Sequence, residues 1–120
     1  MKIVGITPHM WPVDSVESHP EATLTRWRIV QLSNGDRHMY GYELSYQEGR
    51  VTSKIAMFNP YTLEAVTRSG RKYELIGPPG HNTDATYIWG VWCKRNDVEN
   101  YIDISDTVYE EYLEFNPERA

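Results

Sequence analysis

The chain has 120 residues, of which 40% are hydrophobic and 24% are charged, and its formal net charge is −5. This length suits a single domain, residues 1 to 120, that can bury a core without disulfide or metal staples. A single cysteine excludes an internal disulfide, and no stretch approaches the roughly 18 apolar residues that mark a membrane span.

Residues 1 to 21 are predicted to form an N-terminal arm. Three prolines, Pro8, Pro12 and Pro20, interrupt any regular element in this region. The first residues contain one lysine and no long apolar run, so we predict neither a signal peptide nor a membrane anchor. A cytoplasmic protein is therefore expected.

Residues 22 to 76 are predicted to form a curved antiparallel β-meander of five or six strands. Polar and apolar residues alternate through five short runs in this segment. Turn signals separate these runs at Asn34-Gly35, Glu48-Gly49, Asn59-Pro60 and Ser69-Gly70. Because short hairpin loops fix strand register, each signal can be converted into a set of facing residues.

Two-residue turns at three of these signals predict one apolar face. The resulting opposite pairs are Ile29 with Tyr40, Tyr42 with Ile55, and Val66 with Tyr73. On the other face, Glu43 falls between Arg26 and Lys54, which predicts a charged ladder exposed to water. Gly41, on the same face, predicts a bulge or the close approach of another element.

A helix is predicted after the Gly/Pro-rich loop that follows the meander. Asn82, Thr83 and Asp84 offer N-cap chemistry. Beyond them the apolar residues recur at spacings of three and four, which favours one helical stripe: Ala85, Ile88, Trp89, Trp92 and Cys93. The β-branched and aromatic residues of this segment leave a strand as the alternative.

The C-terminal part, residues 77 to 120, is predicted to be helical and acidic. Residues 101 to 104 favour a short strand. Ser105 and Asp106 are typical of an N-cap and a first-turn acid, which predicts a second helix. Asn116-Pro117 would end that helix. Together with the meander, these elements predict an α+β fold with one or two helices packed on the sheet.

Charge is unevenly distributed along the chain. Residues 97 to 120 contain eight acidic residues and one basic residue, whereas residues 22 to 96 carry a net charge of +4. One interpretation is a solvated acidic helix that improves solubility. The other is an acidic surface that binds a basic, nucleic-acid-binding protein. Its predicted contact residues are Asp103, Asp106, Glu110, Glu111 and Glu114.

The loop from Gly77 to Asp84 is the alternative candidate site, for an anion or another small ligand. Backbone N–H groups at the start of a helix can hold an anion, and the candidate residues are Gly80, His81, Asn82 and Thr83. Their glycine spacing matches no phosphate-binding motif, so a turn and helix cap is the competing interpretation.

Other chemistry has little support in the sequence. The four histidines lack metal-ligand spacing, so no metal or cofactor is predicted. Cys93 lies on an apolar stripe and is interpreted as a buried thiol rather than a nucleophile. The expected register separates the aromatic residues from the basic ones, which argues against direct binding of nucleic acid. We therefore expect a non-enzymatic protein-binding or regulatory domain, and the alternative is a small-ligand binder or enzyme with its site at the Gly77 to Asp84 loop.

Three segments carry a family resemblance: EGRVTSKIAMFN at 48 to 59, SGRKYELIGPPG at 69 to 80, and DATYIWGVW at 84 to 92. They resemble motifs in small uncharacterised bacterial proteins, some of them borne by phages or other mobile elements. This resemblance implies a bacterial or phage setting and a stand-alone domain, and it carries over no functional residue. In size and charge the chain also resembles phage inhibitors of host nucleases.

Overall fold

A computed structural model describes residues 16 to 119, in which a sheet of seven strands is packed with two α-helices. The strands are β1 (Glu21–Leu32), β2 (Arg37–Glu43), β3 (Glu48–Val51), β4 (Ile55–Asn59), β5 (Glu64–Thr67), β6 (Lys72–Ile76) and β7 (Tyr101–Asp103). The helices are α1 (Thr83–Arg95) and α2 (Ser105–Phe115), and a short 3₁₀ helix, Pro117–Arg119, follows. The predicted α+β class is confirmed. Most of the predicted N-terminal arm lies outside the described residues.

The sheet is mixed, with the strand order β3-β2-β1-β6-β5-β4. It consists of two antiparallel three-stranded units, which the parallel pairing of β1 with β6 joins. Further along β1, β7 pairs antiparallel with Val30, Gln31 and Leu32. The predicted antiparallel meander is therefore interrupted at its centre. A turn motif cannot predict this parallel pair, because four other strands separate β1 from β6 along the chain.

The predicted register of the first hairpin is wrong by one residue. Ile29 lies opposite Met39 rather than Tyr40. The turn has three residues, 33 to 35, closed by a hydrogen bond from Leu32 N–H to the Asp36 carbonyl at 2.8 Å. Gly35 has a φ of +92°, which is typical of three-residue loops that end in a left-handed residue.

The hairpin between β5 and β6 also has a three-residue loop, and its predicted register is likewise wrong by one residue. Tyr73 pairs with Ala65 rather than Val66, and Gly70 has a φ of +91°. Both glycines thus occupy the third loop position, whereas the two-residue prediction placed them second. Each one-residue shift moves the neighbouring side chains to opposite faces.

The predicted register between β2 and β3 is wrong by more than one residue. Glu48 and Gly49 belong to β3, where Gly49 lies opposite Tyr42. The turn is formed by residues 44 to 47, and Gln47 has a φ of +53°. Ile55 therefore pairs with Thr67 on β5, and not with Tyr42.

A β-bulge in β1 confirms the prediction made from Gly41. The register shifts between Thr25 and Arg28, and Arg26 has a φ of +49°. A Cβ at position 41 would lie 3.0 Å from the Trp27 Cα, so a larger residue beside the bulge would require a small shift of the neighbouring strand. Because the bulge adds a residue, Leu24 and Trp27 point to the same side of the sheet.

Each face of the sheet packs against a different helix. One core contains Trp27, Ile29 and Met39, and α2 contributes Val108, Tyr109 and Tyr112 to it. The other core joins Val30 and Tyr40 to Ala85 and Trp89 of α1, with Trp92 and Cys93 half-buried beside them. The predicted helix and its stripe are thus confirmed. The prediction that Ile29 and Tyr40 share one apolar face is wrong, because neighbouring residues of a strand point to opposite sides.

The predicted solvent-exposed ladder around Glu43 is also wrong. Glu43 is 0% exposed. Its carboxylate accepts hydrogen bonds from the N–H of Thr23 at 3.0 Å and of Tyr46 at 2.9 Å. Glu43 therefore ties the turn after β2 to the start of β1.

Candidate functional site: the outward side of helix α2

A hydrogen-bonded cluster around the buried Ser105 fixes α2 to the sheet at its first residue. Ser105 is 0% exposed and accepts a hydrogen bond from Ile29 N–H at 2.8 Å. Its hydroxyl donates to Asp103 Oδ1 at 2.6 Å, and Arg28 Nε donates to Asp103 Oδ2 at 2.9 Å. The N-cap is Ile104 and makes no side-chain cap hydrogen bond, so the predicted capping role of Ser105 is wrong.

Asp103 differs from the other acidic residues predicted for the contact surface. Burial acts to raise the pKa of its carboxyl, but the hydrogen bonds from Arg28 and Ser105 outweigh burial and hold the pKa below its ordinary value of 3.8. Asp103 is therefore charged at neutral pH. Both of its oxygens are engaged within the fold, where they hold β7 and α2 against β1.

The apolar side of α2 determines which side faces outward. Val108, Tyr109 and Tyr112 pack against the sheet, where the Tyr109 ring meets the buried Trp27 edge-on, with centroids 6.3 Å apart. The remaining predicted contact residues are all exposed on the outward side: Asp106, Glu110, Glu111 and Glu114. The structure thus brings four of the five predicted residues together on one helix.

These four carboxylates lack local charge compensation. Within residues 16 to 119, none of them has a basic side chain within 4.0 Å. Asp106, Glu110 and Glu114 follow each other at spacings of four, where like charges destabilise a helix by about 0.2 to 0.5 kcal/mol per pair. The last turn of α2 contains no basic residue to balance the negative end of the helix.

An exposed aromatic pair adjoins the acidic side of α2, and the sequence analysis missed it. The ring centroids of Tyr61 and Phe115 lie 4.0 Å apart, and the two residues are 58% and 43% exposed. Asn116 Nδ2 donates to the Tyr61 carbonyl at 3.0 Å, which fixes the β4–β5 loop against the end of the helix. Glu111 precedes Phe115 by four residues and so lies beside it. The apolar character of Phe115 was visible in the sequence, but its contact with a loop 54 positions earlier was not.

Several polar groups of the alternative candidate loop, Gly77 to Asp84, make hydrogen bonds within the fold. Asn82 is the N-cap of α1 and accepts from Ala85 N–H at 2.9 Å, as the capping interpretation predicted. Gly80 donates its N–H to the Trp27 carbonyl at 3.3 Å. His81 and Thr83 are exposed beside them. Ligand binding at this loop stays a prediction.

Cys93 and His38 are the remaining groups with potential chemistry. Burial raises the pKa of the Cys93 thiol, which disfavours the nucleophilic thiolate. His38 is buried, its Nδ1 lies 3.0 Å from the Thr52 carbonyl, and its ring packs against Trp92. Between residues 16 and 119, no group of three His, Cys, Asp or Glu side chains could hold a metal ion. No helix in that range is long and apolar enough to cross a membrane.

The buried His38 predicts a loss of stability on acidification. Burial is the largest influence on its pKa and lowers it from the ordinary value of 6.5, against weaker opposing effects of Thr52 and Asp36. Because the unfolded chain binds the proton more readily, the stabilising contribution is complete above pH 6.5 and falls as the pH drops towards the folded pKa. Urea unfolding at several pH values measures this loss.

Variants at two histidines isolate that contribution. We expect the His38→Gln variant to lose less stability than the wild type over the same pH interval. A His81→Gln variant, at an exposed position, serves as the substitution control because it leaves His38 in place. Equal pH dependence in the wild type and the His38→Gln variant would contradict the assignment.

Comparisons with known proteins identify no family for this chain, so the fold class is the narrowest grouping that the structure supports. The chain is an α+β protein with an open, mostly antiparallel sheet. A scan against protein-family models, a search of curated proteins and a search of solved structures each give no match.

Proposed function

We propose that this protein binds another protein, without catalysis, through the outward side of α2, and that the partner presents a basic, nucleic-acid-binding surface. One observation carries the proposal. The uncompensated carboxylates of Asp106, Glu110, Glu111 and Glu114 adjoin the exposed aromatic pair of Tyr61 and Phe115.

The two parts of this surface have complementary roles in binding. An exposed aromatic pair offers a partner apolar area that is already ordered, and aromatic residues are common at the energetic centres of interfaces. The carboxylates attract a basic partner and disfavour acidic ones. Lys or Arg side chains of the partner would also relieve the repulsion between Asp106, Glu110 and Glu114.

Neutralising the helix tests the electrostatic part. In the combined variant Glu110→Gln, Glu111→Gln and Glu114→Gln, we expect affinity for the partner to fall about tenfold or more, because salt-screened charge contacts are lost. The partner is first isolated from a bacterial lysate at low salt. The dissociation constant is then measured with the purified partner, at low and at high salt, for each variant.

A matched variant separates surface position from net charge. Replacing the exposed Glu21, Glu74 and Glu99 by Gln changes the net charge equally but leaves α2 intact, so affinity should stay near the wild-type value. Duplex DNA should compete with this protein for the partner. Equal affinities of the two triple variants would refute the acidic surface, and failure of DNA to compete would refute the nucleic-acid-binding surface of the partner.

A further inference from the structure

A cavity of about 960 Å³ lies between the β1–β2 turn, the end of β3, the β5–β6 turn and the segment after α1. Its volume is within the range of small-molecule sites. Four basic residues line it: Arg50, Lys54, Arg68 and Arg71. Its acidic lining residues, Asp36, Asp97 and Glu99, come from the β1–β2 turn and the segment after α1. Asp36 Oδ1 lies 3.8 Å from Lys54 Nζ, whereas Asp97 and Glu99 both come from the segment after α1.

Arg50 is the unusual residue among the basic lining residues. It is 1% exposed, and its Nε, Nη1 and Nη2 atoms are buried without a hydrogen-bond partner. Glu48 Oε2 lies 3.5 Å from Nη2, and the Tyr46 ring centroid lies 5.7 Å from Cζ, so the charge is only partly compensated. A guanidinium group cannot release its proton inside a protein. A buried positive charge with unused donors thus forms part of the cavity wall.

More accessible groups also line the cavity. Arg68 and Ser69 are exposed on the β5–β6 turn, and Ser53 is exposed on the β3–β4 connection. Backbone hydrogen bonding holds the two connections together, since Arg68 N–H donates to the Lys54 carbonyl at 2.8 Å. Ser69 N–H also donates to Ser53 Oγ at 3.3 Å. The Arg68 guanidinium and the Ser53 hydroxyl therefore lie on two connections that are held together at the cavity. The Ser69 hydroxyl also lies 3.0 Å from Thr67 Oγ1 and accepts from Arg71 N–H at 3.4 Å.

We infer that this cavity binds a small phosphate ester, with its phosphate at Arg68 and the two serines and its hydroxyl-bearing end towards Asp97 and Glu99. Arginine matches the geometry of phosphate oxygens, and serine hydroxyls donate to them. Arg50 strengthens the attraction from behind, because a charge in a low-dielectric wall is poorly screened. Carboxylates such as those of Asp97 and Glu99 can accept hydrogen bonds from sugar hydroxyls. This site is separate from the surface proposed for protein binding.

Thermal unfolding in the presence of defined probes tests the site. Inorganic phosphate and ribose 5-phosphate should raise the melting temperature of the wild type with concentration, because a ligand of the folded state stabilises it. Ribose 5-phosphate should act at lower concentration than phosphate, and ribose alone should have no effect. Chloride at matched ionic strength corrects for screening.

Two variants and two controls locate the effect. Arg68→Gln, at an exposed position, should raise the dissociation constant for ribose 5-phosphate about tenfold. Arg50→Met, which keeps the volume of the buried side chain, should raise it by a similar factor. Arg37→Gln, at an exposed arginine that does not line the cavity, should bind like the wild type, as should the triple Gln variant of α2.

The outcomes separate cleanly. Absence of any phosphate-dependent rise in the wild type, or an unchanged affinity in Arg68→Gln, would overturn the site, even if Arg50→Met did not fold. A response to inorganic phosphate without tighter binding of the ester would overturn the assignment of the hydroxyl-bearing end to Asp97 and Glu99. Loss of affinity in Arg68→Gln together with retention in Arg37→Gln would support the site as assigned.

Discussion

Replacing Gly49 by alanine is expected to lower the free energy of unfolding by about 3 kcal/mol, because the added methyl group overlaps main-chain atoms. A Cβ at this position would lie 2.5 Å from Ala85 N and 2.8 Å from Asp84 C. No side-chain rotation relieves an overlap with backbone, so β3 and the first turn of α1 must separate. That movement would also disturb the cap, since Ala85 N–H donates to Asn82.

Gly90 in the same helix provides the matched control. A Cβ there meets nothing within 4 Å, and Gly90 is exposed. Gly90→Ala should therefore raise the stability by about 1 kcal/mol through better helix propensity. Urea unfolding followed by tryptophan fluorescence measures both variants. A Gly49→Ala variant as stable as the wild type would contradict the close packing of α1 on β3.

Removal of the Glu43 carboxylate is the second change with a large expected effect. Glu43→Ala should lower the free energy of unfolding by about 3 kcal/mol, because two backbone N–H groups lose a charged acceptor. These donors belong to Thr23 and Tyr46, so the loss should loosen the turn after β2 from the start of β1. A solvent-exposed ladder would instead predict a loss of at most about 1 kcal/mol.

Two further substitutions make the Glu43 experiment discriminating. Glu43→Gln keeps one acceptor oxygen and should recover part of the lost stability. Glu74→Ala removes an exposed carboxylate from β6 and should change the stability by no more than about 0.5 kcal/mol. Equal effects of Glu43→Ala and Glu74→Ala in urea unfolding would show that Glu43 is not buried.

Several elements were predictable because their signals are local. The three- and four-residue spacing from Ala85 to Cys93 identified the inward side of α1, and Asn82 was one of the three predicted caps. Asn116-Pro117 correctly placed the end of α2. Alternation predicted strands throughout residues 22 to 76. In each case the residues that carry the signal lie within a few positions of each other.

The hairpin registers show where local signals became insufficient. Asn34-Gly35 and Ser69-Gly70 correctly indicated turns, but a Gly with positive φ fits a two-residue or a three-residue loop. The choice between them moves Tyr40 from the core shared with Ile29 to the core formed with α1. Strand pairing and packing made that choice, and no residue in the loop determines it.

The sequence by itself determined the α+β class and the accumulation of carboxylates in the last fifth of the chain, and it indicated one or two helices. Tertiary structure decided which carboxylates of the chain are bound by groups within the fold. Asp103 is held by Arg28 across 75 positions, and Glu43 accepts from Thr23 across 20. Tertiary structure also placed Tyr61 against Phe115 and gathered three arginines around one cavity. Contacts of this kind depend on how distant segments pack, whereas alternation and helical spacing are set by neighbours along the chain.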